Sequence, residues 1–519
     1  MKRRLRALSG LILLLSAASA TLAQSTTRGA GLQFELSFSR NVYDRPFTGR
    51  VWVILTQRSR LEPRQTVDWF SSDPLFARDV SDWQPEQVLT FIPDNDLSYP
   101  VPIDQLPAGT YRAQAVMGCN RWSQHPIDAP GNPCSDVAAL RFSADRLVTV
   151  RLVLDRKVPA PALQDSDELK YVKLRSELLS TFYGSDVFVE AAVGLPDAHR
   201  DEPHRRFATV YCIPGFDARL ENLDPLPMVQ MLSARGLAAV VVCLCASCPL
   251  GHHVFADSAN NGPRGQSLVN EFIPWLETQF RLIRSSDARY LFGVSSGGWS
   301  SLWLQITYPD TFGGTWSLSP DPVDFTEFVN VNLYDPPESV FTEADGSPRV
   351  FARPGMFGRI YWSEIFRLEQ VLGRGGQLGS CEAAFSPRGT DGRPRPLWDR
   401  KTGRIHQAVA QAWKKYDIRL ILEQNWKNLG PKLAGKIHVY AGQQDEFFLG
   451  QACEKLRQTL QALGSDARVE LVEQAGHAPP PQVLNRVADE IVAQFQRRYK
   501  NRQNPRRRNA NKAVQIANA

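Results

Sequence analysis

The sequence predicts two layered units: a small all-β sandwich over residues 31–156, then a larger α/β unit with a mostly parallel sheet over residues 170–496. Three observations predict them. Apolar residues recur with period two up to about Asp155, and short apolar runs alternate with helical periods after about Lys170. Between these regimes, at 157–169, lies a stiff proline-spaced linker beginning Val158-Pro159-Ala160-Pro161-Ala162.

At the start of the chain, Lys2, Arg3, Arg4 and Arg6 precede the run Leu11 to Leu15, and small residues follow to Ala20 and Ala23. Basic, apolar and small segments in this order read as a secretory signal over residues 1–23, cut after Ala20 or Ala23. The run falls short of the roughly 20 residues of a spanning helix, so no stable membrane span is expected. The expected location is periplasmic or secreted. Export would put the eight cysteines where disulfides form, and Cys119 and Cys134, flanking a loop rich in Pro, Gly and Asn, are the expected pair. Cys243, Cys245, Cys248, His252 and His253 are spaced as zinc ligands could be. However, Cys243 and Cys245 end an apolar strand, which favours buried thiols or a local disulfide, and no metal is expected.

Net charge is +6, but the first 23 residues carry four basic side chains and the segment after Gln496 carries eight, with no acidic residue in either. The body between is therefore mildly acidic, which argues against nucleic acid as a partner. The basic tail, 497–519, has no apolar period; it is expected to be disordered, with anionic surfaces as its possible contacts.

In the first unit Leu32, Phe34, Leu36 and Phe38 alternate with polar residues, and Val148, Val150, Leu152 and Leu154 repeat the pattern. Strand-like runs over 51–56, 88–92 and 110–116 lie between them, separated by Pro, Asp and Gly turns. In the second unit the runs 207–213, 237–244, 290–294 and 437–441 suit strands covered on both faces. Helical periods, such as Leu268, Phe272, Leu276 and Val483, Val487, Ile491, supply the covering layers. A Gly- and Pro-rich insertion occupies about 320–435. Its aromatic residues, including Trp362, Phe366, Trp398, Trp413 and Trp426, could line an apolar acyl or aryl pocket or form the insertion's own core.

The segment Gly293-Val294-Ser295-Ser296-Gly297 places a Gly-x-Ser-x-Gly turn between a strand and a helix, where the glycines let the backbones approach and the serine stands on a strained elbow. A serine hydroxyl needs a base, and the base needs an orienting acid. Strand 437–441 runs into Asp445 and Glu446, and strand 468–472 runs into His477, giving the order Ser, Asp, His. Asp445 is the expected acid, with Glu446 its rival. The turn Ile213-Pro214-Gly215-Phe216 closes an earlier strand. Gly215 or Phe216 would donate one backbone N–H to a tetrahedral oxyanion, and Ser296 the other.

These residues resemble the bacterial "putative esterase" group of α/β-hydrolases, which includes enterochelin esterases, feruloyl esterases, esterase D and the antigen 85 acyltransferases. The resemblance runs from about Tyr171 to Phe495 and rests on Gly293 to Gly298, Pro309 to Gly314, Ser317 to Pro320 and Gly476-His477. It implies an α/β-hydrolase fold, the triad Ser295, Asp445 and His477, no cofactor, and an approach of loop 255–263 to the active site. Val294 and Ser296 depart from the His and Met often found beside the serine, and the insertion exceeds that of compact members. The implied activity is cleavage of a small-molecule or glycan-linked carboxylic ester. Two alternatives share the residues: acyl transfer from the same acyl-enzyme to an alcohol, and a non-catalytic envelope or secreted binding protein on a hydrolase scaffold.

Overall fold

The structure is a computed structural model that describes residues 31–500, apart from 59, 69–72, 92–96, 144 and 354–357. The expected signal over 1–23, and the tail from 501, lie outside the described residues.

Among the described residues, the leading unit has nine strands: β1 Gly31–Phe38, β2 Phe47–Thr56, β3 Leu75–Trp83, β4 Leu89–Phe91, β5 Ser98–Tyr99, β6 Gly109–Met117, β7 Pro133–Ser135, β8 Ala138–Phe142 and β9 Leu147–Lys157. One hydrogen-bonded path, β4-β1-β9-β7-β6-β2-β3-β5 with β8 on β6, joins them all. Short β7 bridges the two halves, which fold over a shared core of Phe34, Leu36, Val53, Ala115 and Leu154. The expected sandwich is therefore one open sheet folded over itself, with β4 and β5 at its ends and β1 parallel to β9. Strand β3 escapes a period-two reading because its second half is largely exposed and it pairs with β2 through an irregular register at Phe47/Gly49.

The expected disulfide is not shown: in the structure Cys119 and Cys134 are free thiols. Cys134 lies opposite Val116 and packs with Trp52 and Ile54 on the outer face, whereas Cys119 packs with the inner core around Met117. Side chains on opposite faces of a sheet cannot be bridged without moving the backbone. Cys212 and Cys243 stand in register on neighbouring strands, also as free thiols.

Among the described residues, the main sheet of the second unit has eight strands: β10 Leu169–Arg175, β11 Phe188–Gly194, β12 Ala208–Ile213, β13 Ala239–Leu244, β14 Arg289–Val294, β15 Gly314–Leu318, β16 Ile437–Gly442 and β17 Arg468–Val472. Their order is β10-β11-β13-β12-β14-β15-β16-β17. β11 runs antiparallel to both neighbours, and all other pairs are parallel. Leu268, Phe272 and Leu276 seal one cluster against the sheet, and Val483, Val487 and Ile491 another, as their helical periods require.

The insertion is built into this unit. Trp362, Phe366, Trp398 and Trp413 share one core with Trp299, Leu302 and Ile437, and Trp426 packs at its margin, so of the two readings of these aromatics the core reading holds. Helix Trp362–Leu372 also docks the leading unit: Leu368 and Val371 pack on the outer face of its sheet, and Trp52 Nε1 donates to Val371 O at 2.9 Å. The last helix, Pro481–Phe495, continues through Gln496–Lys500, where Tyr499 stacks on Phe495 at 5.2 Å. A tail boundary at 497 is therefore too early, because that aromatic finds the apolar face of the preceding turn. Among the described residues no helix is long and apolar enough to cross a membrane.

Candidate active site

Every predicted site residue lies just beyond the C-terminal end of a parallel strand: Gly215 after β12, Ser295 after β14, Asp445 after β16 and His477 after β17. A parallel sheet ends all its strands at one edge, so residues far apart in sequence converge there.

Ser295 sits between β14 and helix Ser296–Thr307 with φ 61° and ψ −127°, a left-handed strain for a non-glycine residue. A Cβ on Gly293 would lie 2.0 Å from Gly297 O, and one on Gly297 would lie 1.9 Å from Ile213 O. Neither position admits a side chain. Gly297→Ala is accordingly expected to cost about 3 kcal/mol through overpacking, measured by denaturant unfolding; an unchanged unfolding midpoint would show that the elbow can relax.

His477 Nδ1 meets Asp445 Oδ2 at 2.9 Å, and Asp445 Oδ1 accepts from Phe447 N at 2.8 Å. The Asp445 side chain is 1% exposed. Glu446, the rival acid, instead accepts the backbone N–H of His477 at 2.5 Å. One carboxylate thus holds the ring and the other holds the loop. Burial lowers the His477 pKa, but the hydrogen bond to Asp445 and the charges of Asp445, Asp321 and Glu446 outweigh it, and the net shift is upward from 6.5.

Gly215 runs beside the serine: a Cβ there would stand 3.3 Å from Ser295 Cβ and 3.8 Å from its Oγ. Ser296 occupies the first helical position, where a backbone N–H has no intrahelical acceptor. Buried His252 holds the turn from behind. Its Nδ1 accepts from Val254 N at 3.2 Å, which leaves Nε2–H for Pro214 O, also at 3.2 Å. Burial pushes this imidazole down to about 4, so it is neutral and keeps that tautomer.

Ser295, His477, Gly215 and Phe216 open on a cavity of about 440 Å³. Its walls are mainly apolar, with Trp299, Phe325, Phe328, Phe351, Phe385 and Phe447 among them. Different aromatics of the insertion therefore line the pocket from those named as candidates. Loop 255–263 does not reach it. Only the preceding Val254 does, while Asn260 Nδ2 donates to Ala383 O and Ser386 O at 3.2 and 2.9 Å, bracing helix Gln377–Phe385.

Sequence reasoning missed Asp321 and Gln377. Asp321 Oδ2 accepts from Ser296 Oγ at 2.6 Å and Gln377 Nε2 at 3.0 Å, and Asp321 N donates to Ser295 O at 3.2 Å. Burial raises its pKa against the Ser296 hydrogen bond. Its place three residues beyond β15 was available as a signal; Gln377, at the start of an insertion helix, offered none.

An eight-stranded, mostly parallel sheet with a serine on a strained elbow after a central strand makes this unit an α/β-hydrolase. The model of the family described as "Putative esterase" matches residues 188–478, more than half of the chain, and the chain belongs to that family of carboxylic ester hydrolases. Among solved structures, a ferulic acid esterase is similar at 13% identity and TM-score 0.41, covering 63% of this chain and 99% of that one. An S-formylglutathione hydrolase from Agrobacterium tumefaciens is similar at 16% identity and TM-score 0.38, covering 64% and 95%. A search of curated proteins finds no match.

Proposed function

We propose that the protein is an exported serine esterase that works through an acyl-enzyme. Ser295 Oγ attacks the ester carbonyl while His477 Nε2 takes its proton, and the tetrahedral oxyanion turns toward the N–H groups of Ser296 and of Gly215 or Phe216. His477 then protonates the departing alcohol, leaving an acyl-Ser295. Water attacks that ester with His477 again as base, releasing the acid and free serine. Asp445 on Nδ1 keeps the Nε2 lone pair toward the serine. The observation that carries this reading is the 2.9 Å contact of His477 with Asp445 at the wall of the cavity onto which the strained Ser295 opens. The apolar lining supports an ester with an apolar acyl or aryl part. Active-site labelling tests the reading: an organophosphonate should modify Ser295 on peptide mapping, and a folded protein that takes no label would reject it. Products formed with an added alcohol would reveal acyl transfer.

The titration of His477 has a defined sign. Only the neutral ring can accept the proton, and its pKa lies above 6.5, so kcat/KM should rise with pH through a midpoint above that value. A midpoint below about 6 would contradict the role given to the surrounding carboxylates.

We also propose that the basic tail takes no part in catalysis and contacts anionic envelope surfaces. Removal of 501–519 should leave kcat/KM unchanged and abolish salt-sensitive binding to anionic vesicles; a loss of turnover in the folded truncation would refute the first half.

A further inference from the structure

We infer that the leading β-unit is part of the catalytic apparatus, because its segment 124–128 holds the backbone that follows the Gly215 turn; this rests on reading that turn as an oxyanion donor. Three consecutive residues of the second unit, Asp217, Ala218 and Arg219, are each met by this segment. His125 Nδ1 lies 3.0 Å from Asp217 Oδ1. Gln124, 2% exposed, donates through Nε2 to Ala218 O at 2.8 Å. Asp128 Oδ2 accepts from Arg219 Nη1 at 2.8 Å, and its other oxygen is bound by Arg64 of the same β-unit.

Asp217 has φ 69°, a left-handed conformation that persists in a non-glycine residue only where its surroundings enforce it. The other flank of the turn is held by His252 on Pro214 O. The loop is thus clamped on both sides of the backbone that passes Ser295, one clamp coming from each unit. Asp68 of the β-unit also lines the cavity that holds Ser295.

These contacts adjoin the surface that docks the two units, because Ile127 of the same segment packs with Leu368 and Val371. That surface is apolar at Trp52, Ile54, Leu368 and Val371 and polar around them: Arg50 donates to Gln370 O, Arg374 to Ser123 O and Asn120 O, and Arg367 Nη2 to Pro100 O at 2.8 Å. The side chains of Gln124 and Arg219 bond to Ala218 O and Asp128 instead, so the unit can stay attached when those two bonds are cut. Oxyanion donors act only when placed where charge develops in the transition state. Loosening this loop should lower kcat and leave substrate binding alone.

The test uses the full chain, with rates normalised to phosphonate-titrated sites. Gln124→Ala and Arg219→Ala should each lower kcat about tenfold, with KM for an aryl ester and the pH midpoint unchanged and phosphonylation slowed in parallel. Arg219→Lys, which keeps a donor toward Asp128, should recover most of the loss, and Arg367→Ala should match the parent protein. Values of kcat within about twofold of the parent in both loop variants, with unchanged melting temperatures, would overturn the inference. An equal loss in Arg367→Ala would also overturn it, by showing that any disturbance of docking suffices. A parent protein that takes no phosphonate at Ser295 would overturn the reading of the site as well.

Discussion

Replacing Ser295 with alanine is expected to abolish phosphonate labelling and to lower turnover of a short-chain aryl ester by about 10⁵- to 10⁶-fold. The size follows from what the change removes. Without Oγ no acyl-enzyme can form, so His477, Asp445 and the backbone donors have no nucleophile to serve, and only binding and oxyanion stabilisation of direct water attack remain. The substitution itself should be structurally mild. Ser295 N donates to Leu318 O at 2.9 Å and Ser295 O accepts from Asp321 N at 3.2 Å, both through the backbone. The variant should therefore keep its melting temperature. Retention of more than about one hundredth of the activity in such a folded variant would place the chemistry elsewhere.

Asp445→Asn is expected to cost about 10³- to 10⁴-fold in kcat, whereas Glu446→Gln should cost less than about tenfold. The two acids are adjacent in sequence but contact different parts of one residue. Asp445 receives the imidazole at Nδ1. An amide in its place can offer N–H there and stabilise the wrong tautomer, and it cannot stabilise the imidazolium formed during attack. Glu446 accepts the peptide N–H of His477, and a glutamine carbonyl can do the same without charge. The pH profile supplies a second readout, because removing the Asp445 charge should move the rising limb downward while Glu446→Gln moves it less. Reversed costs would mean that the acid has been misassigned.

The strand-ending segments around Gly215, Ser295, Asp445 and His477 were legible in the sequence because each pairs an apolar run with a short polar turn. The chain order and the parallel sheet then bring those turns to one edge. The elbow was legible for a further reason: Gly293 and Gly297 meet backbone at about 2 Å, so no other residue can stand there, and the sequence records that exclusion. The preference for Asp445 over Glu446 rested on its place first after the strand and on the family resemblance, not on side-chain chemistry. Neighbouring carboxylates have the same chemistry, and only the path of the chain after β17 sends one to the ring and the other to the backbone.

What the sequence by itself determined is the architecture: period two for the leading unit, apolar runs alternating with helical periods for the second, and a serine elbow within it. Local patterns encode these because burial on one or both faces of an element writes a period into its own residues. What only the tertiary structure decided is whatever depends on two distant segments meeting. It placed Cys119 and Cys134 on opposite faces of the sheet, where spacing had suggested a bond. It made Trp362 and Trp398 core, gave the cavity wall to Phe325, Phe328 and Phe385, and brought Gln124 and Asp128 of the leading unit onto the loop beside Ser295. Such contacts leave no period and no motif, because each partner satisfies its own local pattern equally well with or without the other.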